Sequence, residues 1–326
     1  MPVQSFTAQT GIAKQASKGT LAANPTFAHG LTGGSPVSVD VANSPLEVTA
    51  AKRAQYNVIR EGVANGATIE APAYIKSLGL YLLGALGSVV TTGASAPYTH
   101  TFATGDLPYL SVFAKGIGST NEGVRDCKID ELTLKWETHK PVNISVKVLG
   151  TTFSYPASFT PTTDETASEA FLVATGGTFQ IDVIGATLAA ARIIGGELTI
   201  KNNITAVDLA ASIEADDVYE GVQEHSLKLT IIPDDLAEFR KTVTGGASGT
   251  SVSTTTPTGS VSLTFKENAG TGQLAVTGSK VAFMTAFPDA DPKGGPVTIE
   301  LAGMALMPTG GTAPLVYALQ NAQATY

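Results

Sequence analysis

The chain has 326 residues, of which 43% are hydrophobic and only 15% charged, so it can bury a core and is not globally disordered. Twenty Lys and Arg stand against 28 Asp and Glu, a formal net charge of −8 that argues against a generic phosphate-gripping nucleic-acid binder. The single cysteine, Cys127, excludes an intrachain disulfide framework and a Cys-based zinc knuckle.

A length of this order fits one large domain or two of about 160 residues. The first residues show no apolar run behind a basic start, so no secretory signal is expected. The most apolar stretch, 73–90, is interrupted by Lys76, Ser77 and Ser88 and carries Gly79, Gly84 and Gly87. A membrane span wants about 20 continuous apolar residues, so a buried core helix is predicted there, in a chain that is made and stays soluble in a cytoplasm.

In chain order, residues 1–45 are rich in Gly, Ala, Ser, Thr and Pro without periodicity of either kind. They read as an arm or loop that orders on a neighbouring subunit. A short strand at 67–70 leads into a helix after Pro72, with Ile75, Leu78, Leu82 and Leu86 on one stripe and Gly87 placed to stop it. From Glu131 onward the pattern has a period of two. Leu132, Leu134 and Trp136 alternate with Glu131, Thr133 and Lys135; Ile144, Val146 and Val148 alternate with Asn143, Ser145 and Lys147. The alternation recurs at Phe179/Ile181/Val183, Leu198/Ile200, Leu227/Leu229/Ile231, Val261/Leu263/Phe265 and Val297/Ile299/Leu301, with glycine-rich turns between runs. One apolar and one polar face mark antiparallel, half-buried strands. A second helix is predicted from Pro233-Asp234-Asp235, whose carboxylates suit a helix start, with Leu236, Phe239 and Val243 buried and Gly245 at the end.

These features suggest an internal repeat. Pro72 and Pro233, each ahead of a helix, lie 161 residues apart, and the closing Pro-Val strands at Pro141 and Pro296 lie 155 apart. The division expected is an arm at 1–45, a first unit at 46–155, a Pro/Ser/Thr-rich linker at 156–169, and a second unit with a C-terminal tail at 170–326.

Little in the sequence points to chemistry. His29, His100, His139 and His225 lack metal-binding spacing, and the glycine-rich stretches 115–121 and 244–250 lack the features of phosphate loops. Cys127 has no activating neighbourhood and no nucleophile elbow exists, so no enzyme, metal or cofactor is predicted. The acidic run 214–220 lacks the ligand register of a calcium loop. It reads either as a solvated loop or as a negative surface facing a polyanion. Its counterpart at 47–61 is mixed in charge through Lys52, Arg53 and Arg60, so the two loops could pair between subunits.

Several segments resemble the major tail tube proteins of long-tailed (siphovirus-like) bacteriophages: Leu46-Glu47-Val48-Thr49, Ile59-Arg60-Glu61-Gly62, the run from Gly66 to Pro72, and the leucine-rich helix ending at Gly87. The strands at 98–102, 110–115 and 130–136, then 197–203 and 226–230, follow in the family's order. The resemblance spans roughly residues 40 to 310. It implies a mainly β fold, two tandem tail-tube-type β-sandwich units each with one flanking α-helix, and sheets that join between units into a β-barrel ring. It further implies rings that stack into a tube around a tape-measure protein, bounded by tail terminator and distal tail proteins. Genomic DNA would cross the tube without specific binding, no membrane would be involved, and the product would reside in the virion tail after assembly in the host cytoplasm. A duplicated unit implies three chains per pseudo-hexameric ring, with a true hexamer as the alternative. Closing a sheet into a ring removes its open edges. Glu131, Asp182, Glu214, Asp216, Asp217 and Glu300 are the candidate lumen or acidic-surface residues, expected to keep DNA from sticking within a screening length of about 8–10 Å. The competing reading is a β-sandwich module for adhesion or virion decoration, without a channel.

Overall fold

The computed structural model describes residues 8–45, 57–115, 120–156, 158–185, 187, 189–233, 237–246, 248–285, 296–311 and 313–326. In chain order the first part comprises β1 (Gln9–Lys14), β2 (Phe27–Gly30), β3 (Gly33–Pro45), β4 (Val58–Pro72), α1 (Ser77–Leu86), β5 (Gly87–Thr92), β6 (Tyr98–Thr104), β7 (Leu110–Lys115), β8 (Asn121–Glu137), β9 (Asn143–Gly150), β10 (Thr152–Ser154) and β11 (Thr163–Asp164). The second comprises β12 (Leu172–Asp182), β13 (Ala189–Ala190), β14 (Ile193–Lys201), β15 (Thr205–Asp208), β16 (Ala215–Tyr219), β17 (Glu224–Ile231), α2 (Ala237–Thr244), β18 (Thr258–Glu267), β19 (Gln273–Thr285), β20 (Ile299–Ala305) and β21 (Val316–Asn321). The protein is mainly β, as its alternating runs predict.

One order of ladders occurs twice. β1 pairs with β2 and β7, β7 with β8, β8 with β9 and β10, β9 with β4, and β4 with β3, all antiparallel. Likewise β12 pairs with β13 and β18, β18 with β19, β19 with β20 and β21, β20 with β17, and β17 with β14, again antiparallel. Each helix follows the corresponding strand, α1 after β4 and α2 after β17. The β5–β6 hairpin follows α1 only; among the described residues no strand stands between α2 and β18.

The two halves are joined through their backbones. β8 is 17 residues long and bends at Asp126, whose φ is 53°. Up to Cys127 it pairs with β7 and β10; from Lys128 onward β9 takes one edge and, from Glu131, β14 the other. β21 returns from the far end of the chain to pair with β6. Nineteen strands are linked in this way, and β15 and β16 pair only with each other. Among the described residues the network does not close into a barrel, and β3 pairs with β4 alone.

The core lies between the apolar faces of these sheets. Leu132, Leu134, Ile144, Val146, Leu198, Ile200, Leu227, Leu229, Val261 and Leu263 pack there as the alternation predicts. Each fully buried side chain of this size contributes about 1.5–3 kcal/mol relative to exposure. Val297 departs from the pattern: it precedes β20 and is exposed.

Two expectations are corrected by burial. The helix after Pro72 is a buried core helix, as its apolar sequence predicts, and is thus enclosed rather than flanking: all ten residues of α1 are buried, which suits a position between layers. Gly87 ends it in the left-handed conformation, φ 91°, as its place in the sequence predicts. Residues 9–45, read as an arm, are built into the body: β1, β2 and β3 are strands, and Ile12, Phe27 and His29 are buried. Around α2, Gly245 has φ 74° and Val243 is half-buried, while Asp234, Asp235 and Leu236 lie outside the described residues.

The segment expected as a linker also packs. The α1 start carries no side-chain cap of its own and no acid in its first turn. Glu165 supplies both from 88 residues away, its Oε2 accepting from the Ser77 N–H at 2.8 Å and its Oε1 from the Lys76 N–H at 3.3 Å. Burial pushes the Glu165 carboxyl above the usual range, with the Ser77 and Lys76 bonds acting against that shift. Glu165→Ala is expected to destabilise the protein by about 1–3 kcal/mol by orphaning those two amides. Urea melts followed by circular dichroism check this, with Glu165→Gln expected to retain part of the loss.

Candidate assembly surface

The strands β4, β9, β8, β14, β17 and β20 lie side by side and turn their second set of side chains away from the core. On this polar face acids and bases alternate across the ladders. Glu131 stands opposite Lys147 on one side and Lys201 on the other; Lys135 stands opposite Glu197, which in turn faces Lys228. Lys228 completes an ion pair with Glu300 at 3.0 Å. Lys147 also donates to Asp130 at 2.8 Å, a bond that holds its ammonium above the ordinary lysine range. Exposed pairs of this kind contribute about 0–1 kcal/mol each. Their larger effect is local charge compensation. Glu131 and Glu300 therefore do lie on a broad polar face, but each beside a lysine. A shallow groove of ≈ 430 Å³ crosses it, lined by Glu70, Glu131, Lys135, Glu197 and neighbouring Thr, Ser and Asn side chains.

Two other candidates prove to be buried. Asp182, at the end of β12, accepts from the Ile184 and Thr187 amides at 3.1 and 2.9 Å and meets Lys241 of α2 at 3.7 Å. It is 7% exposed, so it fastens a turn and presents no acidic surface. Asp217 is 9% exposed; it takes Lys18 at 2.8 Å, the Tyr109 hydroxyl at 2.9 Å and its neighbour's Val218 N–H at 2.8 Å. Burial works against its charge, but the Lys18 ammonium and these donors outweigh it and hold the carboxyl below the usual range. The phenol of Tyr109 is pushed up to about 12 by burial and by that carboxylate. Asp216 is exposed and Glu214 half-buried.

Glu214, Asp216 and Asp217 sit on the smaller β15–β16 hairpin, which extends the β14–β17 pair as the far ends of β3 and β4 extend their own. The two projections touch: the Val63 N–H donates to the Ile213 carbonyl at 2.7 Å, and Val63 bridges to Glu214. Arg60 is exposed on the first projection; Lys52 and Arg53 lie outside the described residues. Both projections bare apolar side chains, among them Val39, Val41, Val58 and Ile59 on one and Val207, Leu209, Ile213 and Tyr219 on the other. Sequence reasoning passed over these positions. The signal was present as valines, isoleucines and a leucine in polar surroundings, with no second apolar face to meet. Clustered apolar exposure of this kind marks contact surfaces.

Among the described residues no group of three or more His, Cys, Asp or Glu is placed to hold a metal ion, and no helix is long and apolar enough to cross a membrane. Cys127 is wholly buried, and burial pushes its thiol up, away from reactivity. What the chain presents to its surroundings is an antiparallel sheet with open edges among the described residues, a charge-compensated polar face and exposed apolar hairpins.

A family model described as phage tail tube protein matches residues 5–315, and the chain belongs to that family. It is thereby a structural component of the virion tail, of the kind that assembles into the tail tube. A search of curated proteins finds no match.

Proposed function

We propose that copies of this chain close into rings by continuing their sheets across chain boundaries, and that the rings stack into the conduit through which DNA leaves the virion. The observation that carries this is the seven-residue ladder between β8 and β14, by which one half of the chain already extends the sheet of the other. A unit that occurs twice in this order supports three chains per ring with pseudo-sixfold symmetry. The apolar projections and the charges at Arg60, Glu214 and Asp216 provide the contacts between subunits and between stacked rings. A tape-measure protein occupies the growing tube, and terminator and distal proteins bound it; assembly takes place in the host cytoplasm.

The polar face of the large sheet is the natural lining. There Glu131 and Glu300 alternate with Lys201, Lys147 and Lys228, so DNA meets no continuous basic strip to bind and no strong barrier to entry. The non-stick property comes from compensation within the wall, more than from a uniformly acidic lumen.

Negative-stain microscopy of the purified protein tests the reading. Stacked rings with a stain-filled hole are expected, and native mass spectrometry is expected to find three chains per ring. A strictly monomeric particle at high concentration would remove the conduit.

A further inference from the structure

The ring reading leaves open which edges meet, and the repeated ladder order identifies them. The Pro-Val starts at Pro141 and Pro296 align β9 with β20, placing Ala302 where Lys147 stands. Lys147 faces Glu131 and Ala302 faces Met284, so Met284 on β19 is the counterpart of Glu131 on β8. Continuing the alignment through β4 and β17, Ala64 corresponds to Glu224. Ala64 faces Asp40 and Glu224 faces Lys201, which makes Asp40 on β3 the counterpart of Lys201 on β14.

Within the chain Glu131 and Lys201 are directly opposed in the β8–β14 ladder. We propose that the outer edge of β3 in one copy pairs antiparallel with the end of β19 in the next, with Asp40 opposite Met284 and Val39 opposite Thr285, repeating the internal seam. This rests on the ring reading and adds to it the two edges and their register.

Exposure supports the assignment. Ile200, the counterpart of Val39, is wholly buried at the internal seam, whereas Val39 is 39% exposed at an edge where, among the described residues, no strand pairs. Met284 is 58% exposed, and among the described residues its strand pairs at this point with β20 on one side only. A long edge left open is a template for another strand, and a second copy offers the matching one. At the internal seam the Asn202 N–H donates to the Asp130 carbonyl at 2.7 Å. The adjoining Glu131–Lys201 pair is therefore one of the close, non-hydrogen-bonded positions, about 4.5 Å between Cα atoms, a spacing that a disulfide can bridge.

The test is the double variant Asp40→Cys, Met284→Cys, assembled into tubes and oxidised; the native thiol at Cys127 is buried and does not compete. Reducible dimers and ring-sized covalent species are expected on denaturing gels, and none from Asp40→Cys with Ala282→Cys, two residues out of register. Tubes that form without cross-linking, or that cross-link only in the control pair, overturn this seam and leave the ring reading intact. Wild-type protein that never forms rings removes the ring reading, and this inference with it. Should the double variant fail to assemble, hydrogen exchange on the wild type decides. The outward amides of β3 should slow at least about 10-fold on assembly, and unchanged exchange there overturns the pairing.

Discussion

Replacing Trp136 with alanine is expected to lower stability by about 3–5 kcal/mol, the largest loss anticipated for any single truncation in this protein. Trp136 belongs to β8 but does its packing in the second half of the chain. Its ring stacks on Phe179 of β12 at 6.4 Å, meets Phe265 of β18 edge-on at 5.0 Å, and lies over Gly196 of β14. A Cβ at Gly196 would come within 2.4 Å of the indole, so the glycine is what lets the ring lie flat on the seam. Truncation would open a cavity where the two halves meet. Because this is the only tryptophan, unfolding is best followed by far-ultraviolet circular dichroism in urea. The same variant is expected to lose cooperativity between the halves, seen as a shallower or split transition. An unchanged midpoint would mean that the internal seam is held by backbone pairing alone.

The second large effect is a loss of stability on acidification. His29 and His225 are buried, and burial lowers both imidazoles to about 4. His29 meets the Tyr81 hydroxyl at 2.8 Å and the Gly30 carbonyl at 2.9 Å; His225 meets Tyr317 and Gln223. Neither pair of partners supplies a counter-charge. In the unfolded chain both rings protonate near pH 6.5. Stability is therefore complete above about pH 6.5, falls as the pH drops toward 4, and loses nothing further from these groups below that. The linkage amounts to about 3 kcal/mol for each histidine. Urea midpoints at pH 7, 5.5 and 4 should trace the decline, and His225→Gln should flatten it by roughly half. A midpoint constant across this range would show that the imidazoles are not held neutral.

The parts of the fold legible in the sequence were those whose two faces differ. β8, β9, β14, β17 and β18 alternate because one side meets the core and the other water. α1 was legible from its leucine spacing and from Gly87, and its burial from a stretch too interrupted to span a membrane yet apolar nearly all round. β1 has four consecutive buried residues and so shows no alternation. β19 hides its period for a different reason. Leu274 and Val276 are buried in one phase and Val281 and Phe283 in the other, with Gly278 at the slip and a register shift in the β18–β19 ladder.

The candidate surface divided along similar lines. Glu131 and Glu300 were legible because strand period alone sets their side of the sheet. Asp182 and Asp217 were not, because their partners are backbone amides and Lys18, groups that only the folded chain brings near. Acidity in a sequence run therefore marked two different things, an outward face and a pair of internal fasteners.

Among the described residues the β5–β6 hairpin has no counterpart after α2. In a closed ring of identical chains, neighbouring stations around the circle would thus be alike in their sheets and unlike in this one appendage. Any companion that grips the hairpin would find a foothold at every other station, and would read a coarser rhythm from the tube than the one its bore presents to DNA.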